Sequence, residues 1–219
     1  MPLLELALMN ILITAGPTRE PIDAVRFIGN RSSGKVGIAL AQAAANENHH
    51  VILLLGPGID FAPQSEMIKL LRFESTADLQ SLLKEHFPTC DVLIMAAAVA
   101  DYTPKNQHEG KLPRSRDKSQ TLTVELTPTP DLTAELALRK QSHQKTIAFA
   151  LEEPNVLIER ATQKMNRKKV DAILANPLGT MEADTITPTF LTSTGGQIAP
   201  GSMNKLDFAK WLLNQIYEL

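Results

Sequence analysis

Short, unbroken apolar runs recur along the chain with helix-like segments between them, and that alternation narrows the fold more than any other feature. Asn10-Ile-Leu-Ile-Thr14, Val51-Ile-Leu-Leu-Leu55, Asp91-Val-Leu-Ile-Met-Ala-Ala-Ala98, Thr146 to Leu151 and Asp171-Ala-Ile-Leu-Ala175 are of this kind. Apolar runs of this length suit parallel strands covered on both faces. Residues 67–73 make a weaker sixth candidate. The segments between them read as helices. One opens at Arg31-Ser-Ser-Gly34 and runs to about Asn46. A second follows the capping-box pair Ser75 and Asp78 and ends near His86. Others start at Asp131 and Asn155 and reach about Lys140 and Lys168. An amphipathic helix closes the chain from Asn204 to Leu219. Strand and helix in alternation predict an α/β fold. The expected form is a Rossmann-like three-layer sandwich with a mostly parallel sheet, in one domain over residues 1–219.

Two stretches fall outside that rhythm. Residues 102–120 are polar and carry Lys105, Lys111, Arg114, Arg116 and Lys118, and Thr121 to Leu126 then alternates like a half-exposed strand. Together, about 102–127, they predict a protruding flap or dimerisation arm. Phe190 to Pro200 reads as a hairpin turning at Gly195-Gly196.

Composition excludes several classes. Lys and Arg number 22 against 24 Asp and Glu, a net charge of −2, which argues against an ordinary basic nucleic-acid binder. The single cysteine, Cys90, allows no intramolecular disulfide and reads as a structural thiol at a strand start. His49, His50, His86, His108 and His143 show no metal-ligand spacing. The apolar start, Met1 to Met9, lacks the basic region of a signal peptide. The expectation is a cytoplasmic protein without a membrane segment, with Met9 as an alternative start and residues 1–8 frayed.

Three constellations carry possible chemistry. The first is Gly29-Asn-Arg-Ser-Ser-Gly34-Lys35. Small residues at a helix start allow close backbone approach, and the exposed amides favour anions. The stretch matches the first seven positions of a P-loop, but position eight is Val36, where magnesium needs Ser or Thr. The expectation is therefore an anion cradle, helped by Arg26 and Arg31. The second is Ala96-Ala-Ala-Val-Ala-Asp101 at a strand end, where an open parallel sheet binds ligands. The third is basic: Lys111 in the flap, and Lys164, Arg167 and Lys168 on a later helix. Lys164 and Lys168, four apart, share a face able to clamp a polyanion. A solvated face is the plain alternative for these charges, as an Asp-capped core strand is for the second. A dehydrogenase fits less well. Only Gly16 follows the first strand where a G-x-G-x-x-G would stand, and no lysine follows Tyr102 by four positions.

Taken together, Ile13-Thr-Ala-Gly-Pro-Thr-Arg-Glu-Pro-Ile-Asp23, Arg26, Asn30-Arg-Ser-Ser-Gly-Lys35 with Gly37, and Ala97-Ala-Val-Ala-Asp-Tyr102 resemble phosphopantothenate–cysteine ligase. Such ligases form one half of the bacterial bifunctional coenzyme A protein, and the likeness is to a stand-alone form of that half. Lys111, Pro130-Asp131, Phe149, Lys164, Lys168 and Asp171 to Asn176 extend it to the C-terminal helix. Only residues 178–203 carry little of it. The resemblance implies that 4'-phosphopantothenate is activated by CTP and Mg2+ as an acyl-cytidylate and then joined to L-cysteine. Eukaryotic relatives can use ATP.

The resemblance also assigns residues. Asn30 would contact the acyl-nucleotide, and Lys111 would serve the second half-reaction. Ser33, Gly34, Ala96, Ala97, Ala98, Asp101, Pro128, Thr129, Pro130, Asp131, Phe149, Lys164 and Lys168 would bind nucleotide. Arg26, Asn30 and Arg31 would hold substrate phosphate, and no magnesium ligand is assigned. The family is dimeric, with the flap over the partner's site, so a homodimer is expected. Where the family flap often reads Lys-x-Lys-Lys, this chain has Lys111-Leu-Pro-Arg114, losing a donor and a cation. A non-catalytic nucleotide-binding relative is the second hypothesis, and an NAD(P)-dependent oxidoreductase the third.

Overall fold

A computed structural model describes residues 8–114, 121–180 and 183–219. In chain order the strands are β1 (Asn10–Ala15), β2 (Arg19–Pro21), β3 (Phe27–Gly29), β4 (His50–Leu55), β5 (Ile68–Arg72), β6 (Val92–Met95), β7 (Tyr102–Pro104), β8 (Leu126–Pro128), β9 (Lys145–Glu152), β10 (Ala172–Pro177), β11 (Thr185–Ile186), β12 (Thr189–Thr192), β13 (Gln197–Ile198) and β14 (Met203–Asn204). The helices are α1 (Lys35–Asn46), α2 (Thr76–His86), α3 (Leu132–Ala137), α4 (Leu157–Lys168) and α5 (Lys205–Tyr217).

Eight strands form the central sheet in the order β13-β12-β10-β9-β6-β1-β4-β5. The six from β10 to β5 are parallel, and β12 and β13 close the sheet as an antiparallel edge. Helices cover both faces. On one side α1 and α5 pack Leu40, Ala44, Phe208 and Leu212 onto Ile11, Ile13, Leu53, Ile94 and Leu174. On the other, α2 and α3 cover Leu12, Leu54 and Leu93, and α4 sets Ala161 and Met165 against Ala148 and Ile173. Odd and even strand positions thus feed opposite layers, as a doubly wound sheet requires. The expected three-layer sandwich is what the chain forms.

The chain leaves β1 outward to β4 and β5, then returns to place β6 on the other side of β1. This reversal puts the crevice of the sheet beyond the carboxyl ends of β1 and β6. Gly16 follows β1 with φ of 83°, a left-handed turn that favours glycine. An isolated bridge then ties Pro17 to Ala98.

Several boundaries differ from expectation. The apolar run from Asp91 to Ala98 is a strand only to Met95, and Ala96 to Ala100 leave the ladder as a strip. Residues 121–125 form no strand. The arm instead begins and ends in the ribbon β7–β8, where Thr103 faces Thr127. The helix after Asp131 stops at Ala137, with Asp131 capping it through Ala134 N–H at 3.1 Å. The polar stretch after Pro17 holds the hairpin β2–β3, and β11–β14 is a further small pair. Arg116 and Lys118 of the flap lie outside the described residues, as do residues 1–7.

Candidate functional site

A cleft of about 970 Å3 opens over the crevice. Three backbone features build its floor. The strip Ala96–Ala100 is fixed by two buried threonines: Thr14 Oγ1 accepts from Ala97 N–H at 3.1 Å, and Thr18 Oγ1 from Ala100 N–H at 3.0 Å. Ala98 N–H donates to Gly16 O at 2.9 Å, and Thr18 N–H to Ala98 O at 3.2 Å. On the far side Thr129 Oγ1 donates to Ala100 O at 2.6 Å. The small alanine side chains leave this anchored backbone open to the cleft.

The N-terminus of α1 forms the second wall. Gly34 precedes it at φ 66°, and no side chain among the described residues caps the helix, so its first N–H groups are left for an anion. A Cβ at Gly34 would lie 2.6 Å from Ile59 Cδ1. The left-handed backbone is what calls for glycine there, since the Ile59 methyl could move aside. Asn30 sits at the mouth and donates to Val99 O at 2.9 Å, which holds its amide against the strip.

Cations form the third wall. Lys164, Arg167 and Lys168 of α4 line the cleft. Burial, then repulsion from Lys168, lowers the Lys164 pKa, and Glu152 and Asp101 oppose the shift. Lys168 Nζ donates to the Asp131 carboxylate. Burial alone would raise Asp131, but Lys168 and the Ala134 N–H outweigh it and hold the carboxyl below the usual range. Asp101, exposed at the rim, has no ion-pair partner among the described residues.

Most residues singled out from the sequence meet here: Asn30, Arg31, Ser33, Gly34, Ala96, Ala97, Ala98, Asp101, Thr129, Pro130, Asp131, Phe149, Lys164 and Lys168 all line the cleft. Three do not. Pro128 is exposed in β8. Arg26 lies outside, where it pairs with Asp23 at 3.3 Å and donates to Leu112 O at 2.9 Å. It braces the arm instead of lining the cleft, because buried Asp23 claims its guanidinium. Lys111 is exposed on the same arm, next to Gly110, whose carbonyl accepts from Ala24 N–H at 3.0 Å.

Sequence reasoning missed Lys205, Thr180 and Ile186 as lining residues, and it quoted Lys35 in the Gly29–Lys35 stretch without giving it a role of its own. Lys35 is paired with Asp184 at 3.0 Å, and Lys205 donates to Ala183 O. Lys205 opens α5 as Lys35 opens α1, and that parallel was a signal the sequence offered for Lys205.

Residues 6–219 match the family described as the DNA/pantothenate metabolism flavoprotein C-terminal domain. The chain belongs to that family. A cysteine/cysteine sulfinic acid decarboxylase from a prokaryote of unknown identity is 44% identical over 169 residues, 77% of this chain and 46% of the relative. The coenzyme A biosynthesis bifunctional protein CoaBC of Vibrio cholerae is 40% identical over 167 residues, 76% of this chain and 41% of the relative. The chain therefore spans under half the length of these curated relatives. The crystal structure of the C-terminal domain of a CoaBC protein superposes with a TM-score of 0.82 at 36% identity, covering 98% of this chain and 96% of that domain. In this family member, no helix among the described residues is long and apolar enough to cross a membrane.

Proposed function

We propose that the chain is a phosphopantothenate–cysteine ligase that uses CTP. The observation that carries this is one cleft, at the sheet's reversal point, that unites an uncapped helix N-terminus, the Asn30 amide and the Lys164, Arg167 and Lys168 trio. The chain is similar along 98% of its length to the domain of a coenzyme A biosynthesis protein, which supports the substrate class.

The chemistry explains the cations. A carboxylate of phosphopantothenate attacks the α-phosphorus of CTP, the bond to the β-phosphate oxygen breaks, and pyrophosphate leaves. The amine of L-cysteine then attacks the acyl carbon. The acyl C–O bond breaks, CMP leaves with the former carboxylate oxygen, and the amine proton passes to solvent. In the first step an anion must approach a polyanion. Helix N–H groups and lysines placed beforehand remove that repulsion without a covalent nucleophile. Phosphate beside Lys164 favours its charged form and so reverses the effect of burial. Asn30, held by Val99 O, keeps a second amide hydrogen for the acyl-nucleotide.

Magnesium fits this site as a phosphate-bound ion, since the exposed, unpaired Asp101 carboxylate is the kind of single protein ligand Mg2+ takes beside phosphates. Bound there, Mg2+ would neutralise charge on the triphosphate. Lys111 lies on the arm, outside the lining of its own cleft. Val25 and Phe27 on β2–β3 and Tyr102 and Leu126 on β7–β8 are exposed apolar residues on neighbouring hairpins. This surface supports a homodimer in which the arm serves the partner's cleft.

The test is pyrophosphate release from CTP and magnesium, with and without phosphopantothenate and cysteine, repeated with ATP. Release that requires phosphopantothenate, with cysteine driving turnover to CMP, is the expected result. No release with either nucleotide from a folded chain that still binds CTP would assign a non-catalytic nucleotide-binding protein.

A further inference from the structure

Asn176, near the end of β10, lines the cleft and is only 6% exposed. Its Oδ1 is buried with no hydrogen-bond partner among the described residues. Buried amide oxygens are nearly always paired, so an unpaired one in a cleft wall points to a ligand donor. The sheet register says what surrounds it. Asn176 stands opposite Leu151, and Leu174 opposite Phe149. Residues two apart share a face, so Asn176 and Phe149 project from the same side of the sheet, the side packed by α1 and α5. Phe149 is half-buried and braced by Phe208, ring centres 6.4 Å apart at 74°. Leu178 and Ile186 complete this part of the wall.

An aromatic and aliphatic wall with one amide beside it is a poor seat for phosphate. The α4 cations gather on the opposite face of the sheet, Lys35 and Lys205 on this face are engaged by Asp184 and Ala183, and the anion-binding amides of this face belong to the start of α1 rather than to the wall's own residues. The wall suits a flat ring with apolar faces and a hydrogen-bonding edge. We infer that Asn176 contacts the nucleobase. Its carbonyl accepts from the exocyclic amine of cytosine or adenine, and its N–H donates to the neighbouring ring nitrogen, the pairing geometry an Asn side chain offers a base edge. The inference rests on the nucleotide-binding reading above.

The experiment is calorimetric titration of wild type and Asn176→Leu with CTP and with inorganic tripolyphosphate, alongside thermal melting of the free chains. Leucine matches asparagine in size and removes the unpaired carbonyl, so the variant is expected to melt no lower than wild type. CTP affinity should fall about ten- to a hundred-fold, with tripolyphosphate affinity unchanged within about two-fold. An equal loss on both ligands would move the contact to the phosphates and overturn the inference. Unchanged CTP affinity would overturn it while leaving the ligase intact. Wild type that binds no nucleotide would remove the ligase reading and this inference together. Should Asn176→Leu fail to fold, Asn176→Ala is titrated in the same way, and unfolding of both would assign Asn176 a structural role and overturn the inference.

Discussion

Asp23 and Leu112 are joined across 89 residues of chain: the Leu112 N–H donates to Asp23 Oδ2 at 3.1 Å. The other carboxylate oxygen accepts from Val25 and Arg26 N–H at 2.8 and 2.7 Å. Burial alone would raise the Asp23 pKa, but these backbone donors and the Arg26 guanidinium hold it below the usual range. One carboxylate thus fixes both the β2–β3 turn and the arm at the residue next to Lys111. Asp23→Ala should free the arm root. Turnover should fall about ten-fold while the KM for nucleotide stays within about three-fold, as for loops that close after binding. Steady-state kinetics check this, and a KM rise that accounts for the whole loss would place Asp23 in nucleotide binding instead.

Lys164 gives a contrast between stability and binding. Its burial disfavours the charged form in the free chain. Lys164→Met keeps the apolar stem and removes the charge. The variant should melt at or above the wild-type temperature, yet bind CTP about ten-fold more weakly, the loss expected for one charge-assisted hydrogen bond. Calorimetry with a melting curve reads both. A lower melting temperature with unchanged CTP affinity would make Lys164 structural.

Gly37 is a packing position. A Cβ there would stand 2.5 Å from Ala15 Cβ and 3.1 Å from Thr14 O, both in the central strand β1. Neither atom belongs to a flexible side chain, so α1 must shift. Gly37→Ala should cost about 1–3 kcal/mol in urea unfolding, the usual range for overpacking. Gly179→Ala, with nothing within 4 Å of the added carbon, should change stability by no more than about 0.5 kcal/mol.

His49 makes stability depend on pH. It is 1% exposed, sits beside the Tyr217 hydroxyl and accepts from Met9 N–H at 3.2 Å through Nδ1. Burial lowers its pKa from 6.5, with Glu47 opposing. Between the folded and unfolded values the unfolded chain holds more protons, so stability is full above about pH 6.5 and falls as pH drops below it. Urea midpoints from pH 8 to 5 should show this loss. His49→Gln should flatten the slope across that window, and an unchanged slope would assign it to other groups.

The parallel core was legible because buried strands need continuous apolar runs, and Val51 to Leu55 or Thr146 to Leu151 can satisfy little else. Ser75 and Asp78 announced the start of α2, and the reciprocal cap is present, with Asp78 accepting from Ser75 N–H at 2.8 Å. The cleft residues were legible where a loop chemistry marked them, as at Gly34 and Ala96 to Ala98. What stayed hidden depended on distant partners. Thr14 reads as an ordinary strand residue until Ala97 is placed 83 residues away to donate to it. Arg26 looked like a phosphate ligand because sequence adjacency to Asn30 says nothing of Asp23 and Leu112. The ribbon strands β7 and β8 are three residues each, too short for any period to show.

The central claim is that the substrate carboxylate becomes a mixed anhydride with CMP. It is tested most directly with phosphopantothenate carrying 18O in its carboxylate, in the presence of CTP, magnesium and L-cysteine. One labelled oxygen should appear in the CMP phosphate for each product formed, as mass spectrometry of CMP would show. Product formed with unlabelled CMP would mean that the carboxylate never attacked the α-phosphorus, and would contradict the account.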